Sequence, residues 1–166
     1  MLLFSTVTAV GARGSFGFSG GVSIGSVTLF GVGVGVANTA VTAEMSADVS
    51  VSGVCINNGS NKPDGVNDTA LSLAITDTFV ADDNGRIVFT DGNTLVIEDP
   101  VNDDGSAPKL ANEAKICKNK NWTFIPSEEG GIQWGIVTVT FHHSSGTQTK
   151  TYDCTGVALG GTCPEI

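Results

Sequence analysis

The sequence predicts an all-β protein, an antiparallel β-sandwich of about seven to nine strands with an extended apolar strand segment at its N-terminus. Three observations support this prediction. Residues that favour strands and turns dominate the composition, one long segment alternates between apolar and polar residues, and turn signals recur at short intervals. With 166 residues, the chain can bury the core of one domain without a metal.

The charge balance argues against two classes of partner. The chain has 8 Lys and Arg against 17 Asp and Glu, which gives a formal net charge of -9 at pH 7. Binding to nucleic acid or to an anionic membrane surface needs a basic field, so we expect neither. Copies of an acidic chain repel one another at long range, so self-association would depend on short-range contacts and would strengthen with salt.

The composition changes sharply near residue 43. One charged residue, Arg13, precedes this point, whereas all 17 acidic residues lie from Glu44 onward. We therefore divide the chain into an apolar segment rich in Gly and Val, residues 1–40, and a β-sandwich domain, residues 41–166.

Three interpretations of the apolar segment remain open. In the first it is partly a signal peptide, with Leu2 to Val10 as a short apolar core and a small-residue cleavage site ending at Ala12, or a later one ending at Ala43. In the second it spans a membrane, but Val22 to Val36 is shorter than the ~20 apolar residues required and contains four glycines, so no span is predicted in the mature protein. In the third it is an ordered, extended strand segment.

The third interpretation makes a specific prediction about the glycine-valine repeat at residues 32–36. Its period of two places each Val on one strand face and leaves bare backbone on the other, which suits close approach by another chain. An uncovered apolar strand is a template for aggregation, so either its own domain or a neighbouring subunit must cover it. The candidate residues of a polymerisation strand are Val22, Ile24, Val27, Leu29, Val32, Val34 and Val36, and Leu2 to Val10 is a second candidate.

The remaining elements follow in order along the chain. Val41 to Cys55 is the clearest strand, because its apolar and polar residues alternate as in a half-buried antiparallel strand. A polar loop over Asn57 to Asp68 leads to a strand region at Leu71–Ile75 and Thr78–Val80, and Lys109 to Lys120 is the single candidate for a helix or irregular turn. The other predicted strands are Arg86–Thr90, Thr94–Glu98, Trp122–Ile125, Ile132–His142 and Thr147–Asp153.

The four cysteines indicate two disulfides and therefore export to an oxidising compartment. They contain no CxxC pair, which argues against a zinc ribbon or a thioredoxin-like site. Three pairings are possible, of which we favour Cys55–Cys117 with Cys154–Cys163 closing the C-terminal tail. Three glycosylation sequons fit the same extracellular or cell-surface location, at Asn58, Asn67 and Asn121.

An acidic loop after residue 98 is the one candidate metal site, and no other cofactor is predicted. Carboxylate and amide oxygens in a flexible loop suit Ca²⁺, although the EF-hand spacing is absent and a solvated loop explains the same residues. The candidate ligands are Asp99, Asn102, Asp103 and Asp104.

Nothing in the sequence indicates catalysis, so we predict that the protein is not an enzyme and has no catalytic residues. The cysteines are better explained as disulfides than as nucleophiles. His142 and His143 are adjacent in a predicted strand and so point to opposite faces, which prevents them from sharing one metal. Trp122 and Trp134 suit either a sugar-binding platform or the core.

The run from Gly21 to Gly35, followed by small residues and a long alternating strand, resembles the start of secreted β-sandwich fibre subunits of the TasA/camelysin kind and their archaeal pilus relatives. The resemblance covers about the first 55 residues. It implies that each subunit donates an N-terminal strand to its neighbour.

These observations predict a structural subunit of an extracellular filament or pilus, a helical homopolymer that grows by insertion of the N-terminal strand into a neighbouring copy. The alternative is a monomeric secreted β-sandwich that recognises glycans through Trp122 or Trp134. A secreted hydrolase is a third class, because active sites on sandwiches leave little local signal in a sequence.

Overall fold

The computed structural model describes residues 16–56, 66–90, 92–99, 123–126 and 131–166. These residues form ten strands in two antiparallel sheets and contain no helix, which confirms the predicted all-β sandwich. The candidate helix at Lys109 to Lys120 lies outside the described residues. The strands are β1 (Gly17–Ile24), β2 (Val27–Val34), β3 (Ala40–Ile56), β4 (Val66–Val80), β5 (Arg86–Phe89), β6 (Val96–Ile97), β7 (Thr123–Pro126), β8 (Ile132–His143), β9 (Gly146–Asp153) and β10 (Thr162–Cys163).

The two sheets divide the strands equally. The first sheet has the order β10-β1-β2-β5, and β6 also pairs with β2. The second sheet has the order β4-β3-β8-β9, and β7 also pairs with β3. Because β1 and β2 are central members of the first sheet, the core extends across the boundary that the composition suggests at residue 40.

Strand β3 carries the alternation that the sequence predicts. Its apolar positions from Val41 to Val51 are buried, and the intervening polar positions are exposed or half-buried. It pairs with β4 on one side and with β8 and β7 on the other. The register against β8 shifts between Ala47 and Val49, which marks a β-bulge at Gly135 and Ile136.

Residues 17–34 of the apolar N-terminal segment form a hairpin rather than one long strand. Strands β1 and β2 pair along their whole length, and the two residues between them are Gly25 and Ser26. Both adopt positive φ values, 137° and 55° respectively. A two-residue loop of this kind between alternating strands is a recognised hairpin signal, which the sequence prediction missed.

Aromatic rings join the two sheets at one end of the sandwich. Phe18 and Phe89 come from the first sheet, and Phe79 and Phe141 come from the second. Phe89 contacts Phe79 edge-on at 5.1 Å between ring centroids, and Phe18 lies 4.9 Å from Phe141. All four side chains are buried, so this cluster fixes the β1–β2 hairpin onto the second sheet.

A disulfide ties the C-terminal tail to the core. Cys154 follows β9 and Cys163 ends β10. Their sulfur atoms are 2.05 Å apart, so the two residues form the disulfide that the sequence predicts. This bond holds β10 against β1, where Val22 pairs with Cys163. Cys55 is also disulfide-bonded, and its predicted partner, Cys117, lies outside the described residues.

Candidate self-association site

Glycines on β1 and β2 leave bare backbone, as the sequence predicts, and at Gly21 and Gly33 an aromatic ring of the same chain covers it. A Cβ atom built on Gly33 would lie 2.7 Å from Cε1 of Phe16. A Cβ atom on Gly21 would lie 3.1 Å from Cζ of Phe30. The close approach that these glycines permit is therefore made within the chain.

The seven candidate residues of the polymerisation strand have two different environments. The turn at residues 25–26 folds four of them into the core of their own domain, and donation of a strand to a neighbour stays a prediction. Val22, Ile24, Val27 and Leu29 are buried there. The other three do not belong to that core: Val32 and Val34 lie on the outer face of the first sheet, and Val36 follows β2.

The outer residues form an exposed apolar strip, which we call the valine strip: Val32, Val34, Val36 and Val88. Val32 is directly opposite Val88 on the neighbouring strand β5, so both lie on the same face. Val34, Val36 and Val88 are 44%, 40% and 37% exposed. Apolar side chains that are contiguous on a sheet face commonly mark an interaction surface.

The outer face of the second sheet carries polar pairs between its strands. Hydroxyl groups pair across its strands: Thr42 and Thr78 are 2.9 Å apart between Oγ1 atoms, and Thr140 and Thr149 are 3.3 Å apart. Nε2 of His142 lies 3.0 Å from a carboxylate oxygen of Glu44 on the same face. This face also exposes Val80 of β4 and Ile136 of β8, so it differs from the valine strip in its cross-strand polar pairs rather than in a lack of apolar residues.

The two histidines point to opposite faces of β8, as predicted. His143 lies against the ring of Phe16 at a centroid distance of 5.7 Å, and its Nδ1 accepts a hydrogen bond from the Ser145 amide at 3.3 Å. His142 is on the exposed side with Glu44. Within the described part of the chain, no three His, Cys, Asp or Glu side chains are grouped closely enough to hold a metal ion.

The calcium prediction falls mainly outside the described residues, because of its four candidate ligands only Asp99 is described. The amide of Asp99 donates a hydrogen bond to Oγ of Ser26 at 3.4 Å. The calcium site therefore stays a prediction. If Ca²⁺ binds there, EDTA should lower the melting temperature of the protein. An unchanged melting temperature would contradict the calcium prediction.

Of the three sequons, Asn67 alone lies within the described residues. It is on strand β4, opposite Gly53 of β3, rather than in the loop that the sequence predicts up to Asp68. Asn58 and Asn121 lie outside the described residues. Glycosylation at all three positions stays a prediction.

A cleft of about 450 Å³ opens between the sheets near the Cys154–Cys163 disulfide. Trp134 forms part of its wall but is only 7% exposed, so its ring belongs mainly to the core. Gln133 and Thr155 line the same space. The other lining residues include Ile24, Ser26, Asp99, Ile132, Val157 and Leu159. Trp122 lies outside the described residues.

Comparisons with known proteins show no family for this chain. No protein family matches the sequence, and no curated protein matches it. The structure has a weak similarity to the solution structure of CsgH from R. palustris, with a TM-score of 0.36, 14% sequence identity, and coverage of 87% of this chain and 96% of that one. The described residues contain no helix that is long and apolar enough to cross a membrane.

Proposed function

We propose that this protein is a non-catalytic structural subunit of an extracellular filament, and that copies join when the N-terminal segment of one adds as a strand to the next. The valine strip is the observation that carries this proposal. It leaves apolar surface exposed on a chain whose net charge of -9 would otherwise keep copies apart. The disulfide between Cys154 and Cys163 supports an oxidising, extracellular location.

The donor strand in this proposal is Leu2 to Val10. Val22 to Leu29 is occupied in the core of its own domain, so withdrawing it would expose Val22, Val27 and Leu29 to water. Leu2 to Val10 carries no charge and contains apolar and β-branched residues. An extended segment of this composition can add to a sheet edge through main-chain hydrogen bonds.

Deletion of residues 1–15 from the chain tests this proposal. Deletion as far as residue 40 would be uninformative, because it removes β1 and β2 and with them much of the core. Electron microscopy and light scattering should show filaments for the intact chain and none for the shortened chain. The far-UV circular dichroism of the shortened chain should still show a folded β domain. Filaments from the shortened chain would contradict donation by Leu2 to Val10, and a monomeric intact chain would contradict the structural role.

A glycan-binding module is the second candidate, and the cleft beside Trp134 is the observation that favours it. Calorimetric titration of the intact chain with neutral oligosaccharides tests this function. Binding should weaken in Trp134→Phe, which keeps an aromatic core residue but shortens the ring. If a sugar binds equally well to both proteins, the cleft is not its site.

A further inference from the structure

Strand β4 is an edge strand, since among the described residues it pairs only with β3. The amide of Ala81 donates to the carbonyl of Thr39, which places the hydrogen-bonding groups of odd-numbered residues here on the β3 side. The amide of Thr78 donates instead to the side chain of Asp77. Because these groups alternate along a strand, even-numbered residues of β4 direct their amides and carbonyls away from β3.

The middle of this edge lacks the usual protection. From Ala70 to Thr76 the sequence is ALSLAIT, with no charge and no proline, and the nearest acidic residues on the strand are Asp68 and Asp77. Soluble proteins normally place Lys, Pro or a bulge on an exposed edge to prevent pairing with another chain. The backbone groups at Ala70, Ser72, Ala74 and Thr76 therefore form a site for an added strand.

The side chains on the inner face of the same stretch are only partly covered. Leu71, Leu73 and Ile75 contact the core but are half-buried. An added strand would continue the second sheet beyond β4 and place its own side chains beside these three. The site therefore favours an extended partner with apolar residues at alternate positions.

The same segment of a second copy is such a partner, because it is extended and has apolar residues at alternate positions. When two copies of β4 run antiparallel about a two-fold axis at Leu73, that residue is opposite itself. Leu71 is then opposite Ile75 of the second copy, and each even-numbered residue forms a hydrogen-bonded pair with an even-numbered one. A two-fold interface requires this kind of self-complementarity.

We propose that two copies of this protein associate edge to edge through residues Ala70–Thr76 of β4, which joins their second sheets into one continuous sheet. This pairing is separate from strand donation by Leu2 to Val10. A two-fold contact closes on itself and gives a dimer, whereas strand donation gives an open chain. Since the contact is uncharged and the protein is acidic, the association strengthens with salt.

Cysteine trapping in the full-length chain tests the register. Odd-numbered residues form non-hydrogen-bonded pairs at the new interface, with Cα atoms about 4.5 Å apart, which suits a disulfide. Leu73→Cys should therefore give a covalent dimer under mild oxidation on non-reducing gels. Ala74→Cys is the matched control, because its Cα atoms would be about 8 Å apart across the axis, beyond disulfide reach.

Proline at residue 74 tests the hydrogen bonds. Ala74→Pro removes one outward amide and leaves the β3 pairing intact, so it should abolish cross-linking in the Leu73→Cys background, whereas Ala74→Ser should preserve it. Equal cross-linking of Leu73→Cys and Ala74→Cys, or no dimer from Leu73→Cys, would overturn the proposal. The comparison of the two cysteine variants tests the proposed contact even if the proline variant does not fold. Filament loss on deleting residues 1–15 with cross-linking intact would separate this contact from strand donation.

Discussion

The ring of Phe16 lies directly on the backbone of Gly33, in the space that a side chain at residue 33 would occupy. A Cβ atom there would be 2.7 Å from Cε1 of Phe16. Gly33→Ala must displace this ring, which also contacts Phe141 at a centroid distance of 4.9 Å. We expect the free energy of unfolding to fall by about 1–3 kcal/mol in urea denaturation.

Gly17→Ala is the control for this substitution. Gly17 is on the same hairpin, opposite Val34, and a Cβ atom there meets nothing within 4 Å. Alanine at an exposed strand position of this kind should change stability by less than about 0.5 kcal/mol. Equal destabilisation by both substitutions would mean that the backbone, rather than the Phe16 ring, requires glycine.

The disulfide between Cys154 and Cys163 should stabilise the protein even though it closes a short loop. The two residues are 9 apart in sequence, for which loop-closure entropy gives about 2–3 kcal/mol. The double substitution Cys154→Ala and Cys163→Ala removes this bond without affecting Cys55, whereas a reducing agent acts on both disulfides. We expect a lower melting temperature and faster hydrogen exchange at the amide of Ile24, which bonds to Gly161.

Tyr152 gives a pH-dependent prediction at alkaline pH. Its side chain is 1% exposed, and its hydroxyl has no hydrogen-bond partner among the described residues. Burial, with a smaller effect of the Glu165 charge, raises the pKa of Tyr152 to about 12. Because the folded pKa is above the unfolded value of about 10, this group's contribution to stability is complete below pH 10 and is lost as the pH rises towards 12.

Tyr152→Phe removes this titration and the unpartnered hydroxyl. We expect the variant to be at least as stable as the original near pH 7, because a buried polar group without a partner is removed. Between pH 10 and 12 its stability should fall less steeply. Parallel pH curves for the two proteins in urea denaturation would show that the phenol ionises equally well in the folded and unfolded chains.

Periodicity in the sequence predicts the strands well wherever one face is buried and the other is exposed. Val41 to Cys55 corresponds to β3 within one residue at each end, and the segment that begins at Ile132 corresponds to β8. Alternation identifies these strands because half of their residues contact the core. The same signal is ambiguous from Gly17 to Val34, where glycine occupies positions on both faces.

The packing of β1 and β2 into the core depends on long-range contacts that local sequence does not reveal. The Gly25-Ser26 turn was visible in the sequence, but the contact of Phe18 with Phe141 joins residues far apart in the chain. The short strand β10 was also missed, because two residues held by a disulfide to Cys154 carry no periodicity. The pairing of Cys154 with Cys163 could be predicted because the two are close in sequence.

Asp77 lies one residue beyond the proposed contact at Ala70–Thr76, and its removal should lengthen and so strengthen the pairing between copies. The Asp77 carboxylate accepts a hydrogen bond from the Thr78 amide at 2.8 Å, which keeps that amide from bonding another strand. Asp77→Ala frees the amide and removes a negative charge beside the edge. Sedimentation should show a dimer dissociation constant that is lower by several-fold, equivalent to about 0.5–1.5 kcal/mol.

Asp77→Asn separates these two effects. Its amide oxygen can still accept from Thr78, whereas the charge is lost. If the blocked amide limits pairing, Asp77→Asn should resemble the original protein at high salt and exceed it only at low salt, where charge repulsion is strong. Asp77→Ala should pair more tightly at both salt concentrations. A dissociation constant that Asp77→Ala leaves unchanged or raises would contradict an edge-to-edge contact that reaches this end of β4.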